Sequence, residues 1–175
     1  MIRKLYKMFL LSLLIFLSAC EKETHIPPSS IETKQISLEQ DKAQSKLETI
    51  KLYLGAAELN AEIADENHER KAGMMYRTKM NTDEAMLFVF PYPHQTGFWM
   101  KNTTIPLSIA YIDQSSRIIE IHNLEPNNTN TVDSRSGKIM YALEVNKGWF
   151  ARNGIKPGNV IGTNKGSLAK SVKAR

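Results

Sequence analysis

Leu107-Ser108-Ile109-Ala110-Tyr111-Ile112-Asp113, then Gln114-Ser115-Ser116, then Arg117-Ile118-Ile119-Glu120-Ile121-His122-Asn123-Leu124, reads as a strand, a turn and a returning strand. Ile118 and Ile119 fall on opposite faces of the second strand, and Ile121 shares a face with Ile119. Downstream, Glu125–Gly137 is rich in Pro, Asn, Thr and Ser and reads as a long surface loop. Met140–Asn146 is a strand with Tyr141, Leu143 and Val145 on one face. Trp149–Asn153 is a helical turn closed by Gly154, a natural left-handed cap, and Pro157-Gly158 turns into a last strand, Val160–Thr163.

The same reading works upstream. Thr49–Leu54 alternates, Gly55 breaks it, and Leu59, Ala61 and Ile63 alternate again, although Ala56–Glu66 also suits a helix on propensity. Asp65 is placed to cap a helix over Glu66–Tyr76, with Arg70, Met74 and Arg77 toward its end. Met86–Phe90 is an apolar run that stops at Pro91-Tyr92-Pro93, and Phe98–Asn102 is a short aromatic strand. Many short strands and one or two short helices imply a mainly β domain over residues 49–163. It should be a single β-sandwich, jelly-roll-like or barrel-like unit.

The two ends differ from this body. Arg3, Lys4 and Lys7 precede an apolar run, Met8–Leu17, too short to span a bilayer and well suited to a secretory signal over residues 1–19. Leu17-Ser18-Ala19-Cys20 matches the bacterial lipobox. Cys20 is the only cysteine in the chain, so lipidation accounts for an otherwise odd free thiol in an exported protein. The partner expected through Cys20 is the membrane. Glu21 is not the Asp that signals inner-membrane retention, which favours the periplasmic face of the outer membrane. Residues 20–48 read as a lipid-anchored flexible linker reaching about 30 Å, and residues 164–175 as a frayed basic tail.

Charge follows the same division. The chain carries a net charge of +5. Residues 50–162 hold twelve bases and twelve acids, so the surplus sits at the ends. A nucleic-acid domain concentrates positive charge on its folded surface, so no nucleic-acid partner is expected. The four histidines show no metal-ligand spacing, and no metal or other cofactor is expected.

Several residues could carry chemistry. Along Phe98–Asn102, Phe98, Met100 and Asn102 point one way and Trp99 and Lys101 the other, which suits either a lined cavity or a core strand whose Asn102 ties down a turn. Arg70 and Arg77 share a helical face and could clamp an anion, or could pair with Glu144, a carboxylate set mid-strand between Leu143 and Val145. The candidate ligand-binding set is therefore Arg70, Arg77, Trp99, Lys101, Asn102 and Glu144.

The run from about Ile50 to Ile161 resembles the family called domain of unknown function 192. The words that carry the likeness are Glu69-Arg70, Gly73-Met74-Met75-Tyr76-Arg77, Met86-Leu87-Phe88-Val89-Phe90 and Phe98-Trp99-Met100-Lys101-Asn102-Thr103. They continue with Ile105-Pro106-Leu107, Leu143-Glu144-Val145-Asn146-Lys147-Gly148 and Gly154-Ile155-Lys156-Pro157-Gly158. The resemblance implies an exported or lipid-anchored, mainly β domain and no established activity. Two positions depart from the family: Ala85 stands for a usual Gly and Ser108 for a usual Asp, which speaks against an obligatory carboxylate at 108.

Three functions fit these observations. The first is a lipid-anchored module binding a small envelope compound or glycan in a polar and aromatic pocket. The second is an envelope hydrolase using Glu144 with Lys101 or Arg77. The third is an assembly factor presenting a surface to another envelope protein.

Overall fold

The computed structural model describes residues 42–175. The expected signal over residues 1–19, the expected lipidation site Cys20 and the expected linker up to residue 41 lie outside the described residues. The domain is mainly β, with ten strands and three short helices among the described residues. Eight strands form one sheet in the order β10-β9-β1-β2-β3-β8-β5-β6. These are β1 (Thr49–Leu54), β2 (Ala57–Ala64), β3 (Glu84–His94), β5 (Leu107–Asp113), β6 (Ile118–Leu124), β8 (Ile139–Asn146), β9 (Gly162–Thr163) and β10 (Gly166–Ser167). A separate ribbon pairs β4 (Gly97–Phe98) with β7 (Val132–Asp133). Among the described residues, only β2 and β3 run parallel. Parallel neighbours need a crossover, and the chain supplies it through helix α1 (Asn67–Ala72).

The sheet is not a closed barrel, but its ends are tied. Val160, just ahead of β9, bridges Arg117 at the start of edge strand β6. The Ile118 amide donates to the Asn159 carbonyl at 2.9 Å and the Ile161 amide to the Ser116 carbonyl at 2.8 Å. Segments flanking opposite ends of the strand order therefore touch, which requires the sheet to curve.

Strands β3, β8 and β5 are buried on both faces, so alternate residues feed two cores. One core holds Leu52, Leu59, Leu87, Ala110 and Leu143, capped by Trp149 and Phe150 of α2 (Trp149–Arg152). The other holds Met86, Phe88, Ile109 and Tyr111, covered by Met74 and Met100. All the candidate chemistry that is buried lies on this second face.

Four departures from the sequence reading change the packing most. Helix α1 is capped by Glu66 rather than Asp65 and stops at Ala72 rather than Tyr76. The Glu69 carboxylate accepts the amides of both Asp65 and Glu66 at 3.0 Å, leaving the Asp65 side chain to Arg175. Gly73 at φ 47° then turns the chain out of the helix. The aromatic strand is cut to Gly97–Phe98, because the Met100 amide is taken by the Asn128 carbonyl and Asn102 is left-handed at φ 55°. Strand β3 runs on through Pro91 and Pro93, where its ladder with β8 is interrupted between Val89 and His94 and no proline amide is needed.

The fourth departure is the C-terminus, which is not a frayed tail. Residues 164–175 supply β10 and helix α3 (Leu168–Ser171). Leu168 is fully buried and Val172 nearly so, in the first core. The Leu168 amide donates to Ser116 Oγ at 3.1 Å, and Arg175 bonds both oxygens of Asp65 at 3.0 Å. Leu168 opens the short helix and Val172 directly follows it, and the two aliphatic side chains hold the end down in the first core.

Candidate functional site

Glu144 sits mid-way along β8. Strand register places Glu62, Met86, Glu144, Ile109 and His122 in one row across β2, β3, β8, β5 and β6. Glu144 is 3 % exposed, its Oε2 has no hydrogen-bond partner, and burial alone pushes its carboxyl up to about 8. The expected ion pair with Arg70 or Arg77 is absent. Arg70 instead donates to the backbone carbonyls of Asp65 and Val89, joining α1 to β3. Arg77 grips Glu62 with two bonds, Nη1 to Oε1 at 2.9 Å and Nη2 to Oε2 at 2.8 Å. Neighbouring strands stand about 4.8 Å apart. Glu62 is therefore about 10 Å from Glu144 along the row, with the Met86 position between them.

The Glu62–Arg77 pair lines a cleft of about 430 Å³. Lys46, Tyr76, Lys79 and Glu84 also line it. Its walls are fixed by bonds that owe nothing to a ligand. The segment 44–47 straps one side: the Leu47 amide donates to Glu62 Oε2 at 2.8 Å, and Gln44 Nε2 to the Gly73 carbonyl at 2.9 Å. Asn146 Nδ2 holds the loop on the other side by donating to the carbonyls of Met80 and Asn81. The Asn81 amide in turn donates to Glu84 Oε2 at 2.9 Å.

Asn102 belongs to the wall behind this cleft. Its Nδ2 donates to Tyr76 Oη at 2.6 Å, and its carbonyl accepts the Tyr76 amide at 2.7 Å. Both residues are left-handed, Asn102 at φ 55° and Tyr76 at φ 61°, a geometry that asparagine tolerates better than most residues. Trp99 and Lys101 are elsewhere. Trp99 is 47 % exposed and Lys101 Nζ stands 5.5 Å from its ring centre, a solvent-facing cation–π pair.

Of the six candidates, the structure gathers Arg77 at the cleft, with Asn102 supporting it through Tyr76. Glu144 lies under the same face but does not line the cleft, Arg70 is structural, and Trp99 with Lys101 stand apart. Sequence reasoning missed Glu62, which carries the same signal as Glu144: a carboxylate mid-strand, between Ala61 and Ile63.

The family model of domain of unknown function 192 (DUF192, Uncharacterized ACR) matches residues 50–163. The chain belongs to that family. Two solved structures share the DUF192 fold seen here. One, from Sinorhizobium meliloti 1021 and described as a candidate transcription regulator, is 32% identical. It covers 69% of this chain and 97% of its own, with a TM-score of 0.65. The other, a protein of unknown function from Novosphingobium aromaticivorans DSM 12444, is 31% identical. It covers 67% of this chain and 86% of its own, with a TM-score of 0.63. No curated protein matches the chain.

The words that resemble DUF192 now have positions. The Gly73–Arg77 word forms the turn that delivers Tyr76 and Arg77, and the Trp99–Thr103 word delivers Asn102 against it. Asn146 from the Leu143–Gly148 word pins the far wall. Ser108 donates to Asn123 Oδ1 at 2.8 Å and accepts the Gly148 amide at 2.9 Å, ahead of α2. An acceptor for that amide is what position 108 provides, and Ser and Asp both supply one.

Proposed function

We propose that this DUF192 member is a lipid-anchored binding module of the cell envelope. Its ligand would be a small polar compound held in the cleft over Glu62 and Arg77. The observation that carries this reading is the preformed cleft itself. Its volume falls in the range of small-molecule sites, and Leu47, Asn102 and Asn146 hold its walls in place without a ligand. Preorganisation of that kind lowers the cost of binding. The hydrolase alternative finds less support. Glu144 needs a partner within hydrogen-bond reach, whereas Arg77 is committed to Glu62 and Lys101 stacks on Trp99. The neutral body of the domain favours a ligand other than nucleic acid.

The binding test is a titration of the isotope-labelled protein with glycans and small envelope metabolites. Amide shifts should change over residues 76–84 and 44–47. A panel in which no compound moves those amides would overturn the reading. Anchoring is tested by palmitate labelling, which Cys20→Ala should abolish.

A further inference from the structure

Both carboxylates in the cleft are already occupied. Glu62 accepts two bonds from Arg77 and one from the Leu47 amide, so both of its oxygens are engaged by the protein. Glu84 accepts the Asn81 amide and stands 3.6 Å from Lys46. The donors are in the opposite condition. Lys79 Nζ and the Thr78 hydroxyl have no partner among the described residues. Lys46 is held only by the loose 3.6 Å contact to Glu84. Glu62 and Glu84 each accept from the protein, while Lys79, Thr78 and the loosely held Lys46 keep donors free for a ligand that brings acceptors. Charge agrees: Lys46, Arg77 and Lys79 exceed Glu62 and Glu84 by one.

We infer that the cleft takes an anion, a carboxylate or phosphate carried on a small polar body, with Lys79 and Thr78 meeting the charged group and Lys46 moving off Glu84 to join them. Two ammonium groups meeting one anionic group give charge-assisted hydrogen bonds, which are the stronger kind. This deepens the binding reading above and rests on it. Lys79 and Thr78 are exposed and their side chains have no partner among the described residues, so changing them leaves the fold alone.

The test uses matched pairs that differ only in charge, galacturonate against galactose and glucose 1-phosphate against glucose. Each is titrated calorimetrically into the full chain in detergent. The anionic member of a pair should bind and the neutral member should not. Lys79→Ala should weaken that binding by about tenfold, the value of one charge-assisted bond. Raising salt from 0.1 to 0.5 M should weaken it as well. If the neutral member binds equally and Lys79→Ala changes nothing, the anion assignment falls and the binding reading stands. If neither member of either pair binds at 10 mM, the anion assignment is overturned. The amide-shift panel then decides the binding reading independently.

Discussion

Glu62 and Glu144 occupy the same cross-strand row on the same face of the sheet, yet Glu62 holds a guanidinium and Glu144 holds nothing. The difference is one of reach. The loop after α1 passes over β2 and sets Arg77 on Glu62, while Glu144, two strands further in, lies beneath apolar cover. One carboxylate is neutralised by a partner, the other by keeping its proton.

That proton makes stability depend on pH. Below about pH 4.5, Glu144 is protonated in both folded and unfolded chains and carries no penalty. Between there and about pH 8 the unfolded chain has released the proton and the folded one has not, so stability falls as pH rises. Above pH 8 the penalty levels off, at roughly 4–5 kcal/mol. The groups around it are Tyr111, whose phenol burial and the Glu144 charge raise, and Glu62 and His122 at the ends of the row. Urea unfolding from pH 4 to pH 9 should show this slope. Glu144→Gln should remove most of it, leave stability at pH 5 within about 1 kcal/mol, and be the more stable protein at pH 9.

Arg77→Ala should destabilise the domain by about 3 kcal/mol, because it strands Glu62 partly buried without its cation. Arg77→Met combined with Glu62→Met should cost less than the sum of the two single changes. A double-mutant cycle by thermal denaturation reads the coupling.

Leu168→Ala removes a fully buried side chain and should cost about 3 kcal/mol in urea unfolding. A frayed tail would give no change.

Asn102 separates backbone from side chain. Asn102→Gly keeps the left-handed turn and loses the bond to Tyr76 Oη; Asn102→Ala loses both. Ala should therefore be less stable than Gly by about 1 kcal/mol. Both should weaken ligand binding through Tyr76.

Trp99→Ala and Lys101→Ala should each shift stability by less than about 0.5 kcal/mol, since the pair is solvent-facing. Neither should alter binding in the cleft. A loss of binding in either would move the site to the outer face.

The sequence is legible where its periods are local. Thr49–Leu54 and Leu107–Asp113 form strands over the residues their apolar patterns mark. The mid-strand position of Glu144 announces a carboxylate out of place. What the pattern does not carry is who meets whom. Arg77 reaches Glu62 across 15 residues, and the Leu168 amide reaches Ser116 Oγ across 52. Such pairings exist only after strands have taken their order. Helical spacing also misleads near Gly73: Arg70 and Arg77 share a face only if the helix continues, and it ends between them.

The strap has a mechanical meaning. Chain entering the domain runs along one side of the cleft, where Ser45, Lys46 and Leu47 touch Arg77, Glu84 and Glu62. Tension on the N-terminal side loads those contacts before it reaches the sheet. A ligand bridging Lys46 to Lys79 would lock the strap from the other side. By reciprocity, whatever holds the strap closed tightens the ligand, and whatever peels it away lets the ligand go.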